Sequence, residues 1–202
     1  MLYPDRSTAE AELEAAGLLN PGPWIDHSRW CALACERIAQ AVAGMNGDKA
    51  YSLGLMHDIG RRAGICRERH MLEGHRYCAE RGWTDAARIC ITHSFMIKDV
   101  SSSLGGWDMD EQDYRYMERF VADTSYDDYD RLVQLCDSLA LPGGFCLLEQ
   151  RFVDVCMRYG ANENLIPRWR ATYDIKDDFS RRAGRPVYDL LPGIRESVFR
   201  EA

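Results

Sequence analysis

Helical spacing of apolar residues runs through almost every long segment of this chain, and it limits the possible folds more than any other feature of the sequence. Between residues 27 and 42 the apolar residues recur every three or four positions, which places them on one face of a helix. They are Trp30, Cys31, Ala34, Cys35, Ile38 and Val42. Alternation with a period of two, which is typical of half-buried strands, is nearly absent. The sequence therefore predicts an all-α fold.

Turn and capping residues divide the chain into predicted helices. The first helix begins at Ser7, with Glu10 completing a capping box, and Asp48 caps the third helix. Further helices are predicted at about 68–81, 84–95, 110–123, 127–140, 144–159, 164–182 and 187–200. The segment 98–113 contains serines and paired glycines without a helical period. We expect it to be a loop, either an ordinary surface connection or a lid over a site.

The length and the apolar content limit the class of protein. A chain of 202 residues predicts one domain. No apolar run approaches the 18 or so residues that a bilayer requires, so we expect no membrane partner. Residues 1–19 are acidic and lack the basic start and apolar stretch of a secretory signal. We expect the protein to be cytoplasmic.

Cysteine usage and charge narrow the chemistry further. The eight cysteines form no Cys-x-x-Cys pair, so they are expected to be reduced, buried thiols. Cys31 and Cys35 are assigned to the core rather than to a metal. The formal net charge is −7, and no stripe of lysine and arginine is present, so long nucleic acids are not expected to bind. Small anionic substrates remain compatible with a local cation.

Several ionisable residues lie in apolar surroundings where burial is costly without a strong partner. His57 and Asp58 follow an apolar stretch, His93 follows another, and Asp137 interrupts a third. Taken singly, each is compatible with a core histidine bonded to a carbonyl or with a capping carboxylate. Taken together, they favour a metal ion such as Fe, Mn, Ni, Co or Zn, because imidazole and carboxylate suit these ions.

The order of these residues carries a resemblance. The sequence contains His27, then His57-Asp58, then Asp137, and the segment Leu55-Met56-His57-Asp58-Ile59-Gly60-Arg61. This pattern resembles that of the HD-domain metal-dependent phosphohydrolases. The resemblance covers about residues 20–140. It implies an HD-domain helical bundle for that core, with residues 141–202 as additional C-terminal helices in the same single domain.

The resemblance also implies a ligand set. It assigns His27, His57, Asp58 and Asp137 to one metal, with Asp58 bridging to a second ion that His75 and His93 would complete. The implied cofactors are two divalent transition-metal ions, Fe, Mn, Ni or Co, with Mg or Zn as alternatives. His70 matches no motif and is expected to lie on the surface.

Two departures from the family pattern bear on the substrate. Arg61 stands where many members have lysine, and it is expected to hold phosphate one helical turn beyond His57, with Arg62 as the alternative. Ser94 follows His93 and no Gly-Tyr-Pro motif occurs, which disfavours the cyclic-dinucleotide branch.

The function expected from the resemblance is hydrolysis of a phosphoester or phosphoanhydride. The substrate would be a small phosphorylated metabolite, with nucleotides among the candidates, and a metal-bridged hydroxide would attack phosphorus. Asp58 and Arg61 are the expected catalytic residues. Two alternatives stay open: a di-iron oxygenase similar to the inositol-oxygenase-like members, and a non-catalytic ligand-binding regulatory module.

Overall fold

A computed structural model describes residues 1–199 and confirms the predicted all-α architecture. Its helices are α1 Arg6–Leu19, α2 Trp24–Ala41, α3 Gly47–Met56, α4 Arg69–Glu80, α5 Thr84–Thr92, α6 Glu111–Asp123, α7 Asp128–Leu139, α8 Leu148–Tyr159, α9 Leu165–Ala183 and α10 Ile194–Val198. Short 3-10 segments occupy Ile59–Ala63, Val100–Ser102 and Val187–Leu190. Within residues 1–199 the only sheet is the antiparallel pair β1 Ala140–Leu141 and β2 Gly144–Phe145, in which Ala140 pairs with Phe145.

Helix α2 lies at the centre of the bundle. It packs against α3 and α7, and α4 packs against α5. The face of α2 predicted from its apolar period is buried, with Cys31, Cys35 and Ile38 fully inaccessible. A second, smaller cluster around Met71 and Phe95 packs beneath α6. The hydrophobic effect therefore fixes the helices whose ends carry the ionisable residues.

Several predicted helix boundaries need correction. Asp5, not Ser7, caps α1 by accepting the Thr8 N–H, and Asn46, not Asp48, caps α3. The helix predicted at 84–95 ends at Thr92. The helix predicted at 144–159 begins later because β2 occupies residues 144–145.

The predicted helix 187–200 is also wrong. It consists of a 3-10 segment followed by α10, and position 200 lies outside the described residues.

The cysteines follow the predicted pattern in most positions. Six are buried and all eight are free thiols, while Cys66 and Cys156 are half-buried. No helix in the described part of the chain combines the length and the apolar character needed to cross a bilayer.

The segment 98–113 is a loop up to the start of α6, and side-chain bonds fix it to its surroundings. The Asp108 carboxylate accepts the backbone N–H groups of Arg67 and Arg69, both at 2.8 Å. On the other side, Asn162 and Arg168 donate to carbonyls of residues 101–103. The loop is therefore held between the start of α4 and the start of α9.

Candidate metal centre

Four histidines from four consecutive helical elements converge in the interior. His27 lies on α2, His57 follows α3, His70 lies on α4 and His93 follows α5. Their exposed fractions are 7%, 0%, 5% and 3%. Together with Asp58 and Asp137 they form what we call the histidine cluster.

All four rings are anchored in the same way. Each Nδ1 lies against a backbone carbonyl: His27 at Ala140 (3.2 Å), His57 at Gly54 (2.7 Å), His93 at Ile89 (3.1 Å), and His70 at Arg67. Because a carbonyl can only accept, we infer that Nδ1 carries the proton in every ring. In its neutral form each imidazole then has its lone pair on Nε2, the nitrogen that faces the cluster. Metal-ligating histidines commonly have this arrangement.

One half of the cluster surrounds the Nε2 atoms of His27 and His57, which are 3.3 Å apart. The Oδ1 atom of Asp137 lies 2.9 Å from the first and 3.9 Å from the second, and Asp58 Oδ2 lies 3.8 Å from His57 Nε2. Two lone pairs that face each other at this distance repel unless a proton or a cation lies between them. This half therefore has the donor set of a cation site.

The other half is centred on Asp58 Oδ1. This oxygen lies 3.0 Å from His70 Nε2 and 3.9 Å from His93 Nε2. Asp58 Oδ1 and His70 Nε2 are both buried and have no hydrogen-bond partner. Such orphaned atoms are rare in proteins because each costs free energy. A metal ion coordinated by both atoms would satisfy them.

Asp58 belongs to both halves. The ligand atoms of His27, His57 and Asp58 lie within 4.8 Å of one another, as do those of Asp58, His70 and His93. These two groups can each hold a metal ion. The chemistry of the donors and the orphaned atoms therefore fit the metal that the sequence favours.

The charges of the cluster suit cation binding. Burial opposes the ionisation of Asp58, but the neighbouring Arg61 and His70 hold the pKa of this carboxyl well below its usual range. Burial likewise opposes ionisation of Asp137, but the neighbouring His27 and Arg151 keep the pKa of this carboxyl low. Burial, with the neighbouring charge of His57, lowers the pKa of His93 to about 3. The carboxylates are thus anionic and His93 is neutral near pH 7.

The backbone at His57-Asp58 is not part of a helix in which Arg61 would lie one turn beyond His57. Helix α3 ends at Met56, and Ile59–Ala63 forms a 3-10 segment. Gly60 lets this segment approach α4, because a Cβ there would lie 1.9 Å from the His70 carbonyl oxygen and 2.3 Å from the Gly74 nitrogen. The close approach brings Asp58 next to His70.

The structure corrects the two histidine assignments on α4. His75 lies apart from the cluster, where its Nδ1 bonds to the Ala87 carbonyl (3.0 Å) and its Nε2 to the Tyr116 hydroxyl (2.8 Å). His70, expected on the surface, is buried beside Asp58. The other predicted ligands, His27, His57, Asp58, His93 and Asp137, come together as the resemblance implied.

Arg61 is also placed differently from the expectation. Its Nε donates to Asp58 Oδ2 at 2.6 Å from the 3-10 segment, so it holds the carboxylate as well as lining the cavity. Arg62 stacks over the Tyr77 ring, 4.0 Å from its centroid, and does not line the cavity.

A cavity of about 580 Å³, which we call the main cavity, opens onto the cluster. Loop residues 103–105 form part of its wall. Its charged lining comprises four carboxylates and five arginines: Asp58, Glu68, Asp137, Asp154, Arg61, Arg67, Arg151, Arg158 and Arg168. Three of the arginines lie on α8 and α9, where the sequence carries no motif that marks them.

Comparison with family models matches residues 11–119, more than half of the chain, to the HDOD domain. Asp137 and the three arginines of α8 and α9 lie beyond the matched residues. Comparisons with curated proteins and with solved structures give no match.

Proposed function

The chain belongs to the HDOD domain family, which is related to the HD superfamily, and we propose that it is a metal-dependent phosphohydrolase. The reaction would be cleavage of a phosphoester or phosphoanhydride in a small metabolite, such as a nucleotide. One observation carries the proposal: four imidazoles and two carboxylates converge on a cavity that is lined with five arginines. Cationic side chains around such a cluster suit an anionic substrate.

The residues that would hold the ions divide into two sets. His27, His57 and Asp137 would hold one ion, His70 and His93 the other, and Asp58 would contact both. His70 thus takes the place that the resemblance gave to His75. Divalent ions bound there would lower the pKa of a coordinated water and attract phosphate oxygens.

The chain's own side chains would bind and orient the substrate. Arg61 fixes the Asp58 carboxylate through its 2.6 Å bond and keeps N–H groups for a phosphate oxygen. Arg151 and Arg168 line the same cavity from α8 and α9. Planar guanidinium groups around a phosphate would neutralise charge that develops on its oxygens. The loop from 98 to 110 would limit the entry of water.

A di-iron oxygenase is the alternative that uses the same ligands. The five arginines of the main cavity favour the hydrolase, because oxygen activation does not require an anion site of this size. A regulatory module without catalysis is the alternative from another class. The two complete donor sets argue against a decayed site.

The experiment is metal reconstitution followed by a substrate panel. Protein treated with EDTA is loaded with Mn²⁺, Fe²⁺, Ni²⁺, Co²⁺, Mg²⁺ or Zn²⁺, and phosphate release is measured from nucleotides, dinucleotides and phosphate monoesters. We expect release that Asp58→Ala abolishes together with metal binding. Asp123→Ala, which removes an exposed carboxylate on α6, is the matched control and should change neither.

Three results contradict the proposal. Failure to bind any of these metals would leave the regulatory module as the better reading. Oxygen consumption that requires iron, without phosphate release, would favour the oxygenase. Phosphate release that persists in Asp58→Ala would place the chemistry elsewhere.

A further inference from the structure

A second, smaller cavity opens from the main one and is not needed to hold a phosphate. This side pocket has a volume of about 110 Å³. It shares six lining residues with the main cavity: Ser94, Leu104, Asp137, Arg151, Val155 and Arg168. A ligand at the histidine cluster can therefore extend into it without leaving the protein.

The far wall of the side pocket is mainly apolar. Met96, Phe152, Leu165 and Trp169 contribute to it, and the hydroxyls of Ser138 and Thr172 are its polar groups. The Phe152 and Trp169 rings are stacked with their centroids 5.0 Å apart and their planes 6° apart, which fixes the shape of the wall. A preformed apolar pocket with a few polar groups at its entrance is typical of a ligand site.

Two arginines stand where the two cavities join. Arg151 lies 3.7 Å from Asp137 and 3.7 Å from Asp154, so it is only loosely paired. Arg168 donates to the Ser102 carbonyl at 2.7 Å and forms no ion pair within residues 1–199. Burial lowers the pKa of Arg168, although Glu68 and Asp137 favour its charged form. An anionic group at this junction would pair with both guanidinium groups.

From this arrangement we infer the class of substrate: a phosphate ester whose compact apolar group fills the side pocket while its phosphate lies between the histidine cluster and Arg151 and Arg168. The inference rests on the proposed function for the phosphate end. A cavity of about 150 Å³ holds a benzene molecule, so the side pocket suits a branched aliphatic group or part of one six-membered ring. A purine with its ribose is too large for it.

Non-hydrolysable probes separate this inference from catalysis. The binding of phenylphosphonate and of methylphosphonate to Mn²⁺-loaded protein is measured by calorimetry. Burial of the part of the ring that the side pocket admits should make phenylphosphonate bind about tenfold more tightly. Arg168→Gln should weaken the binding of both probes, because both carry the anionic group.

Substitutions that fill the side pocket test the assignment, and a substitution on the same helix outside the pocket is their control. Val155→Phe projects a ring into the side pocket and should reduce the preference for phenylphosphonate to less than about threefold. Val153→Phe, on the same helix but 59% exposed and outside both cavities, should keep the wild-type preference. Leu104→Phe, which fills the pocket from the loop, repeats the test if Val155→Phe does not fold.

The outcomes distinguish the two proposals. Equal binding of both probes to the wild-type protein, or a preference that survives both filling variants, overturns the side-pocket assignment. If phenylphosphonate is preferred but no phosphate ester is hydrolysed, the pocket assignment stands and the hydrolase proposal fails. If esters are hydrolysed without any preference for an apolar group, the hydrolase proposal stands and the pocket assignment fails.

Discussion

His70→Ala removes one of the three ligand groups from the site formed by Asp58, His70 and His93. The remaining pair offers one carboxylate oxygen and one imidazole, too few donors to retain a divalent ion through gel filtration. The site formed by His27, His57, Asp58 and Asp137 keeps all its donors. We therefore expect the metal content of Mn²⁺-loaded protein to fall from two ions per chain to one.

The same substitution should halve the stabilisation by metal. An ion present at a hundred times its Kd stabilises the folded state by about 2.7 kcal/mol. In a chain of this size each kcal/mol raises Tm by about 2–4 °C, so each ion should contribute about 5–11 °C. The assay compares Tm with EDTA and with metal, alongside elemental analysis of the filtered protein.

The matched control is His75→Ala on the same helix. His75 bonds to Ala87 and to Tyr116, away from the cluster, so this variant should keep both ions and the full metal-induced shift in Tm. If His75→Ala loses an ion while His70→Ala retains two, the assignment of the second site to His70 is refuted and the original sequence-based set is restored.

Three further predictions concern the groups around the cluster. Arg61→Ala should lower metal affinity about 10–100-fold, since it removes the group that orients Asp58, and should lower kcat/KM at saturating metal about a hundredfold. The control Arg62→Ala, which lies outside the cavity, should match the wild type. Wild-type turnover in Arg61→Ala would show that Arg61 does not act on phosphate. Gly60→Ala should reduce the free energy of unfolding in urea by at least about 3 kcal/mol, because its Cβ would meet the backbone of α4. Gly143→Ala, with open space around its Cβ, is its control, and equal stability of the two would contradict the close approach. Asp108→Ala should reduce the free energy of unfolding by about 1–3 kcal/mol, because two backbone N–H groups lose the carboxylate that accepts their hydrogen bonds. It should also speed amide hydrogen exchange in residues 98–110. Unchanged exchange there would mean that other contacts hold the loop.

The helices and four of the six candidate ligands could be predicted from local sequence pattern, whereas His27 was assigned only through the resemblance. Buried faces repeat at helical spacing, and His57-Asp58, His93 and Asp137 are recognisable as ionisable residues within apolar stretches. Burial of such groups needs a partner wherever the helices lie. These predictions therefore required no knowledge of how the helices are arranged in space.

The choice between His70 and His75 does require that knowledge. The buried stripe of α4 contains Met71, Leu72, Gly74 and Cys78. At about 100° per residue, His75 lies about 45° from the centre of that stripe and His70 about 95°, so the helical period favours His75. The neighbouring elements decide between them. The His70 side faces the 3-10 segment, where Gly60 closely approaches the His70 carbonyl, whereas the His75 side faces Tyr116 and Phe120 on α6. Only the packing of α4 between these neighbours makes His70 the candidate ligand.

The arginines on α8 and α9 illustrate the same limit at longer range. Arg151 and Arg168 lie far along the chain from His57, and their local sequences resemble any solvated helix face. Arg151 comes close to the cluster because α7 carries Asp137 into it and the strand pair then turns the chain back, so that α8 starts beside the site, and Arg168 lines the same cavity from α9. The same turn places the Ala140 carbonyl against His27 Nδ1. The segment beyond the family match thus both anchors one metal-facing ring and supplies the cations that would recognise the substrate.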